Sequence, residues 1–343
     1  MPKTNPQIKF GTDGWRAIIA DKFTFDNVAK VSEAVAVYLT NTKTKPKVAV
    51  GYDTRFLSAE FAAKSAEVLS ASGCDALLSN TFISTPALSC AVTDNRADLG
   101  IMISASHNPA YFNGFKIKTS DGCSAPETVT KAVENNIISG RKAAKAAGNI
   151  KNIDFASPYL KRIASMIDFK LLNDNKLSVV ADPMFGAGIG YIESLLQETP
   201  AEVLSIHSNP DPMFGGLHPE PIEINLGDLK KAVKETGADA GLATDGDADR
   251  IGVVDDKGNY YSPHQVFPLL LYYLCKYKKM KGKVVQTISL GYLSERIAKD
   301  YNLPFEEVPV GFKYIAEKIL SERILMGGEE SGGYGYGNFL PYP

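Results

Sequence analysis

Thiol chemistry has little to work with in this sequence. Of 343 residues only four are cysteines, Cys74, Cys90, Cys123 and Cys275, with no CxxC pair and no ligand-like spacing. That excludes a disulfide framework and a zinc ribbon, and fits reduced, mostly buried thiols. A long apolar run is missing too. The most apolar stretch, about 266–274, is too short to span a bilayer and contains Pro268. The opening residues 1–6 lack the apolar core of a signal peptide. Net charge is nearly absent: 37 Lys plus Arg stand against 39 Asp plus Glu, formally −2. Nothing in that balance calls for nucleic acid or an acidic membrane surface. The expectation is a cytoplasmic protein with no nucleic-acid and no membrane partner. A small charged ligand needs only a local cluster, which the total leaves open.

What is present is ordinary for a globular chain, 44% apolar and 22% charged, with length for two or three domains. Short β-branched runs alternate with helical patterns, the mark of α/β layering. The expected fold class is α/β: three tandem α/β domains with mixed, largely parallel sheets, the third incomplete. Domain 1–150 has strands expected at 48–52, 76–78 and 99–103, and helices at 27–39 and 59–69. The polar stretch 139–152 reads as a linker. Domain 151–258 has a strand at 177–181 ending in Asp182-Pro183, and a helix at 229–236 stopped by Gly237. A strand at 239–244 follows, then a hairpin from 250–255 turned at Asp256-Lys257-Gly258. Domain 259–343 has a helix at 262–277, strands at 283–288 and 307–310, a helix at 313–321 and a strand at 324–326. It looks unfinished, because 338–343 suggests neither a closing helix nor a closing strand.

Four segments carry chemistry. Ser104-Ala105-Ser106-His107-Asn108-Pro109 follows the strand at 99–103, and loops at the carboxyl ends of parallel strands are where α/β proteins place ligands. A serine at such a tip is expected to be exposed. His107 can handle its proton, and Lys116 in Asn113-Gly114-Phe115-Lys116 can return to the same place. Alone, the segment also fits a plain serine turn beside a surface histidine. In Asp245-Gly246-Asp247-Ala248-Asp249-Arg250, carboxylates two apart on a glycine loop converge on one point. Three hard oxygens without His or Cys point to Mg²⁺ or Ca²⁺ rather than zinc. An EF-hand is rejected, since Arg250 stands where it needs glycine and strands flank the loop instead of helices. A solvated acidic turn is the plain alternative. A phosphate on Ser106 would add about −2 of charge. Together with Asp245, Asp247 and Asp249 it would demand a cation, and Arg250 suits a phosphate oxygen. In the glycine-rich 327–333, Glu329 and Ser331 sit two apart. In an extended loop both would face one side and suit vicinal sugar hydroxyls; taken alone, the segment reads first as a plain glycine-rich turn. Phe10-Gly11-Thr12-Asp13-Gly14-Trp15-Arg16 is a Gly/Asp turn followed by a cation, for a salt bridge or a phosphate.

Taken in order, these segments resemble the α-D-phosphohexomutase family, on its phosphoglucomutase/phosphomannomutase branch. The matching stretches are GTDGWR, SASHNPAYFNGFK, DGDADR and GGEESGG, with VGFK at 310–313 and DPMFGGLHPEP at 211–221. The resemblance covers essentially the whole chain. It implies a phosphohexomutase that interconverts hexose 1-phosphate and hexose 6-phosphate, of glucose, mannose or both. Ser106 would be the phosphoserine, primed by a hexose 1,6-bisphosphate and working through a bisphosphorylated sugar. Ser106, Asp245, Asp247 and Asp249 would hold Mg²⁺. Lys116 and His107 would be general base and acid, with Arg16 and Arg250 steadying phosphoryl charge. Glu329 and Ser331 would read the sugar hydroxyls, with Lys313 and Arg250 also on the substrate. The family has a fourth domain whose Arg/Ser/Gly/Thr-rich loop clamps the non-reacting phosphate. No such loop is found in this sequence, so weakened mutase turnover is expected. Two other readings remain: a metal-dependent serine phosphomonoesterase, and a sugar-phosphate-binding module without turnover. The sequence leaves the oligomeric state open.

Overall fold

The computed structural model describes residues 8–143 and 147–337, so the reading of 338–343 lies outside the described residues. The described chain divides into two compact units. One runs to Lys161 and takes in Pro210–His218. The other holds Arg162–Asn209 and the chain from Pro219 on.

The first unit is built from β1 (Trp15–Ile18), α1 (Phe25–Thr40), β2 (Lys47–Tyr52), α2 (Ser58–Ala71), β3 (Asp75–Ser79), α3 (Thr85–Asp94), β4 (Leu99–Ile103), β5 (Phe112–Thr119), α4 (Glu127–Ser139) and β6 (Ile150–Ile153). Its strands form one sheet in the order β1-β5-β4-β2-β3-β6. The centre, β4-β2-β3, is parallel, and β5 runs antiparallel to β4. All five residues of β4 are buried, as a strand covered on both faces requires. Helix α1 starts at Thr24, whose hydroxyl accepts the Asn27 N–H at 3.2 Å. Such a cap contributes about 1 kcal/mol. In the core Trp15 stacks on Phe23 with ring centroids 4.8 Å apart, and Phe61 meets Phe23 edge-on at 4.9 Å.

The stretch expected as a linker is only partly one. Ser139 ends α4, and Ile150–Ile153 pairs in parallel with β3 as a sixth strand. This edge strand is mostly exposed and half polar, so backbone pairing defines it where hydrophobic alternation does not. Strands β1 and β5 escaped the sequence reading for a related reason. Gly14, Asn113 and Gly114 break the β-propensity of segments that the sheet nevertheless pairs.

After α5 (Ala156–Ala164), the second unit comprises α6 (Phe169–Asp174), β7 (Ser178–Asp182), α7 (Tyr191–Leu196), β8 (Glu202–Ser205), α8 (Gly227–Thr236), β9 (Ala240–Thr244), β10 (Ile251–Asp255) and β11 (Tyr260–Tyr261). A second run follows: α9 (Pro263–Lys276), β12 (Lys283–Thr287), α10 (Leu293–Asp300), β13 (Phe305–Val308), α11 (Phe312–Ser321), β14 (Ile324–Gly328) and β15 (Tyr334–Gly335). The strands form a five-stranded sheet, β11-β10-β9-β7-β8, and a four-stranded sheet, β13-β12-β14-β15. Both are mixed, with parallel β9-β7-β8 and β13-β12-β14 cores. Gly237, at φ 69°, ends α8 where a left-handed cap is needed. Asp255 turns the β10–β11 hairpin by accepting the Lys257 and Asn259 N–H groups at 3.0 and 2.7 Å.

The expected α/β class, with tandem domains and mixed sheets, is therefore what folds. The four cysteines are free and buried. Among the described residues no helix is long and apolar enough to cross a membrane.

Candidate functional site

The serine loop joins β4 to β5. Ser106 adopts φ +53°, a left-handed conformation that costs an L-residue about 1–2 kcal/mol. The surrounding bonds over-determine it. Its N–H donates to Ser104 Oγ at 2.9 Å, and its carbonyl accepts from Arg55 Nη2 at 2.6 Å. Asn108 N–H returns to the Ala105 carbonyl at 3.0 Å. Drawn down in this way, Ser106 is 1% exposed, and the expectation of an exposed tip is corrected. Its Oγ lies 3.3 Å from His107 Nδ1.

Antiparallel pairing of β1 with β5 brings GTDGWR to this loop, with Arg16 opposite Gly114 and Trp15 opposite Phe115. Two glycines make the approach possible. A Cβ on Gly114 would stand 2.3 Å from the Ser104 carbonyl oxygen, and one on Gly14, at φ +99°, 2.7 Å from that of Phe115. Arg16 Nη1 donates to Asn108 Oδ1 at 2.7 Å, which ties this cation to the serine loop. Lys116 is fully buried opposite Met102, and its Nζ lies 2.7 Å from Asp13 Oδ2. Arg16 Nη2 is 3.8 Å from the same oxygen. Ser124 Oγ donates to Asp13 Oδ1 at 3.1 Å and accepts from Lys118 at 3.0 Å. Burial pushes the Asp13 carboxyl up, but Lys116, Lys118 and Arg16 outweigh it and hold the group far below the usual carboxylate range.

In the second unit the acidic loop joins β9 to β10. Asp245 and Asp247 are fully buried and Asp249 partly so, and one oxygen from each lies within 4.8 Å of the others. Asp245 Oδ1 accepts the Asp249 and Arg250 N–H groups at 3.0 and 3.2 Å, which coils the loop around its own first carboxylate. Ala187 N–H donates to the Gly246 carbonyl at 3.0 Å and braces the loop from behind. Buried hard oxygens with no soft donor fit a divalent cation such as Mg²⁺. Arg250 lies 3.5 Å from Glu220 and 4.0 Å from Asp249. Burial disfavours its charge, but Asp245, Asp249, Glu329 and Asp247 more than restore it and raise its pKa.

The Glu329–Gly333 segment is a glycine-rich turn and not an extended loop. It is closed by Gly332 N–H donating to the Glu329 carbonyl at 3.2 Å, and Gly332 O accepts the Ile251 N–H at 3.2 Å, so β10 anchors it. Glu329 and Ser331 still meet, because the turn lets the Ser331 hydroxyl donate to the Glu329 carboxylate. Burial pushes Glu329 up against the pull of Ser331 and Arg250. Lys313 sits in the first turn of α11 with Nζ 5.0 Å above the Tyr314 ring. Three residues were missed in the sequence: Asp13 as the partner of Lys116, Arg55 beneath the serine loop, and Glu330, which accepts Thr287 Oγ1 at 2.8 Å and Ser289 Oγ. Arg55 had a usable signal, since Asp53-Thr54-Arg55 also follows the carboxyl end of a parallel strand.

An α/β chain with a serine held at a strand end and a three-carboxylate loop after another strand has the parts of a phosphoryl-transfer protein. Residues 7–144, 157–258 and 262–342 match phosphoglucomutase/phosphomannomutase α/β/α domains I, II and III. The chain belongs to the phosphoglucomutase/phosphomannomutase family, within the α-D-phosphohexomutases. It is 31% identical to a phosphoglucomutase/phosphomannomutase from Thermococcus kodakarensis, over 96% of this chain and 73% of that protein. It is 33% identical to a phosphoglucosamine mutase from Paenarthrobacter aurescens, over 94% and 72% of the two chains. A crystal structure of a protein assigned as a phosphomannomutase, from Thermus thermophilus, superposes with a TM-score of 0.92 at 35% identity. The match covers 98% of this chain and 77% of that one.

Proposed function

We propose that this chain moves a phosphoryl group between Ser106 and a hexose phosphate, interconverting the 1- and 6-phosphates of glucose or mannose through a bisphosphorylated sugar. The observation that carries the reading is the serine loop, with Ser106 Oγ 3.3 Å from His107 Nδ1 and Arg16 fastened to the same loop through Asn108. In priming, a hexose 1,6-bisphosphate gives up one phosphoryl group. The Oγ–P bond forms, the bond from phosphorus to the sugar oxygen breaks, Oγ loses one proton and the departing oxygen gains another, leaving a hexose monophosphate. His107 takes the proton from Oγ. Lys116, stabilised as a cation by the Asp13 carboxylate 2.7 Å away, gives its proton to the departing oxygen and, with Arg16, offsets phosphoryl charge. In the opposite direction, from phosphoserine to a sugar hydroxyl, Lys116 would be the base and His107 the acid, the roles that the resemblance implies. Asp245, Asp247 and Asp249 would hold Mg²⁺, which would supply charge neutralisation for phosphoryl transfer. Glu329 and Ser331 read sugar hydroxyls, and Lys313 and Arg250 take substrate phosphate.

The relatives named for glucosamine as well as for glucose and mannose support a hexose phosphate as the substrate class. Incubation with glucose 1,6-bisphosphate and Mg²⁺ should add one phosphoryl group by intact mass, and Ser106→Ala should abolish it. Labelling that persists in Ser106→Ala refutes the assignment. A coupled assay on the 1-phosphates of glucose, mannose and glucosamine ranks the substrates. Release of inorganic phosphate without isomerisation identifies a phosphomonoesterase, and binding without phosphate uptake a binding module.

A further inference from the structure

Arg55 lies outside the motifs that carry the chemistry, yet its guanidinium serves the serine loop. It follows the end of β2 in Asp53-Thr54-Arg55, and its side chain is completely buried. Nη2 donates to the Ser106 and Asn108 carbonyls at 2.6 and 2.5 Å, and Nη1 to those of Pro109 and Phe112 at 2.9 and 3.1 Å. Nε lies 3.2 Å from Asp53 Oδ2. Asp53 is itself fixed by Ser58 Oγ at 2.7 Å and by Arg55 N–H at 3.0 Å. The guanidinium face is covered by Phe214, fully buried, with its ring centroid 4.8 Å away. Phe214 belongs to Pro210–His218, the segment that joins the first unit from far along the chain.

Four carbonyls fanned around one planar cation define the path of the loop from Ser106 to Phe112. A lysine ammonium has no rigid fork with which to span them. A buried ion pair is a weak source of stability, so its value here is geometric. Without those bonds Ser106 has little reason to stay left-handed, and a change of φ would swing Oγ away from His107. We propose that Arg55, clamped between Asp53 and Phe214, is the positioning residue that keeps Ser106 left-handed and so aims Oγ for phosphoryl transfer. The inference rests on the proposed phosphoserine role of Ser106. Arg55 holds Ser106 through its backbone carbonyl.

The test uses Arg55→Lys and, as a milder change that keeps the guanidinium, Phe214→Leu. Ser106 phosphorylation by glucose 1,6-bisphosphate with Mg²⁺ is followed by quenched-flow intact mass. The maximal rate should fall about a hundredfold in Arg55→Lys and about fivefold to tenfold in Phe214→Leu, with the half-saturating ligand concentration moved less than about threefold. A maximal rate within about threefold of the unaltered chain in Arg55→Lys overturns the proposal. So does a raised half-saturating concentration at unchanged maximal rate, which would make Arg55 a determinant of ligand affinity. Amide hydrogen exchange supplies a readout that needs no phosphate: residues 104–112 should exchange at least about tenfold faster in Arg55→Lys, with the interior of β4 unchanged. Unchanged exchange at 104–112 overturns the proposal whether or not Ser106 accepts phosphate. If the unaltered chain takes no phosphate while the loop loosens as expected, the proposed function falls and the loop-holding role of Arg55 stands.

Discussion

Replacing Asp247 by asparagine should stabilise the metal-free chain while removing its response to metal. The oxygens of Asp245, Asp247 and Asp249 lie within 4.8 Å of one another. At that separation and an effective dielectric of about 20, each like-charge pair costs about 3 kcal/mol or more, and Asp247 takes part in two pairs. Arg250, drawn to the same carboxylates, and the loop amides on Asp245 offset much of this. A net release of about 1–2 kcal/mol is the expected remainder for Asp247→Asn in EDTA. At about 2–4 °C per kcal/mol that is a rise in Tm of about 2–8 °C. In the unaltered chain Mg²⁺ at a hundred times its Kd should add about 2.7 kcal/mol, because the ion binds only the folded loop. The variant should show none of that gain. Scanning calorimetry of both chains, with EDTA and with Mg²⁺, measures the four values. If Asp247→Asn melts below the unaltered chain in EDTA, or still gains stability from Mg²⁺, the loop is not a strained cation site.

Two further tests use pH. Burial raises the Asp13 carboxyl, but Lys116, Lys118 and Arg16 hold it far below the usual range, so its folded pKa lies under its unfolded one. Its stabilisation is complete above about pH 4, the unfolded value, and is lost as the pH falls toward the folded value. Asp13→Asn should therefore be less stable at neutral pH, and its urea midpoints should fall less steeply between about pH 4 and 2; parallel acid limbs would refute the pairing. His207 goes the other way. The hydrogen bond to Asp182, 3.0 Å from Nδ1, raises its pKa against burial, and the charges of Asp182 and Asp228 add to the rise. Its stabilisation is complete below about pH 6.5 and is lost as the pH rises through the elevated folded value. The stability gap between the unaltered chain and His207→Gln should be widest near pH 6 and narrow by about pH 9; a gap independent of pH would show that His207 acts by packing alone.

The sequence by itself settled the class of fold and the chemistry of the loops. Buried parallel strands such as β4 announce themselves as continuous apolar runs, and helix α8 ends at a glycine that a left-handed cap requires. The Asp245–Asp249 convergence could be read from spacing alone, because five residues on a glycine loop have few other ways to fold. Edge strands were not legible: β6 is held by pairing with β3, and β1 by pairing with β5, rather than by any pattern of their own. Only the tertiary structure decided that Ser106 is buried and left-handed, since the guanidinium that draws it down comes from Arg55, 51 residues earlier. In the same way Asp13 is distant from Lys116 in sequence and 2.7 Å from it in space, and that contact, with Lys118 and Arg16, holds the Asp13 carboxyl low. Hydrogen bonds and ion pairs depend on distances of a few ångström, which local spacing fixes within one loop and only the packing of the sheet fixes between segments.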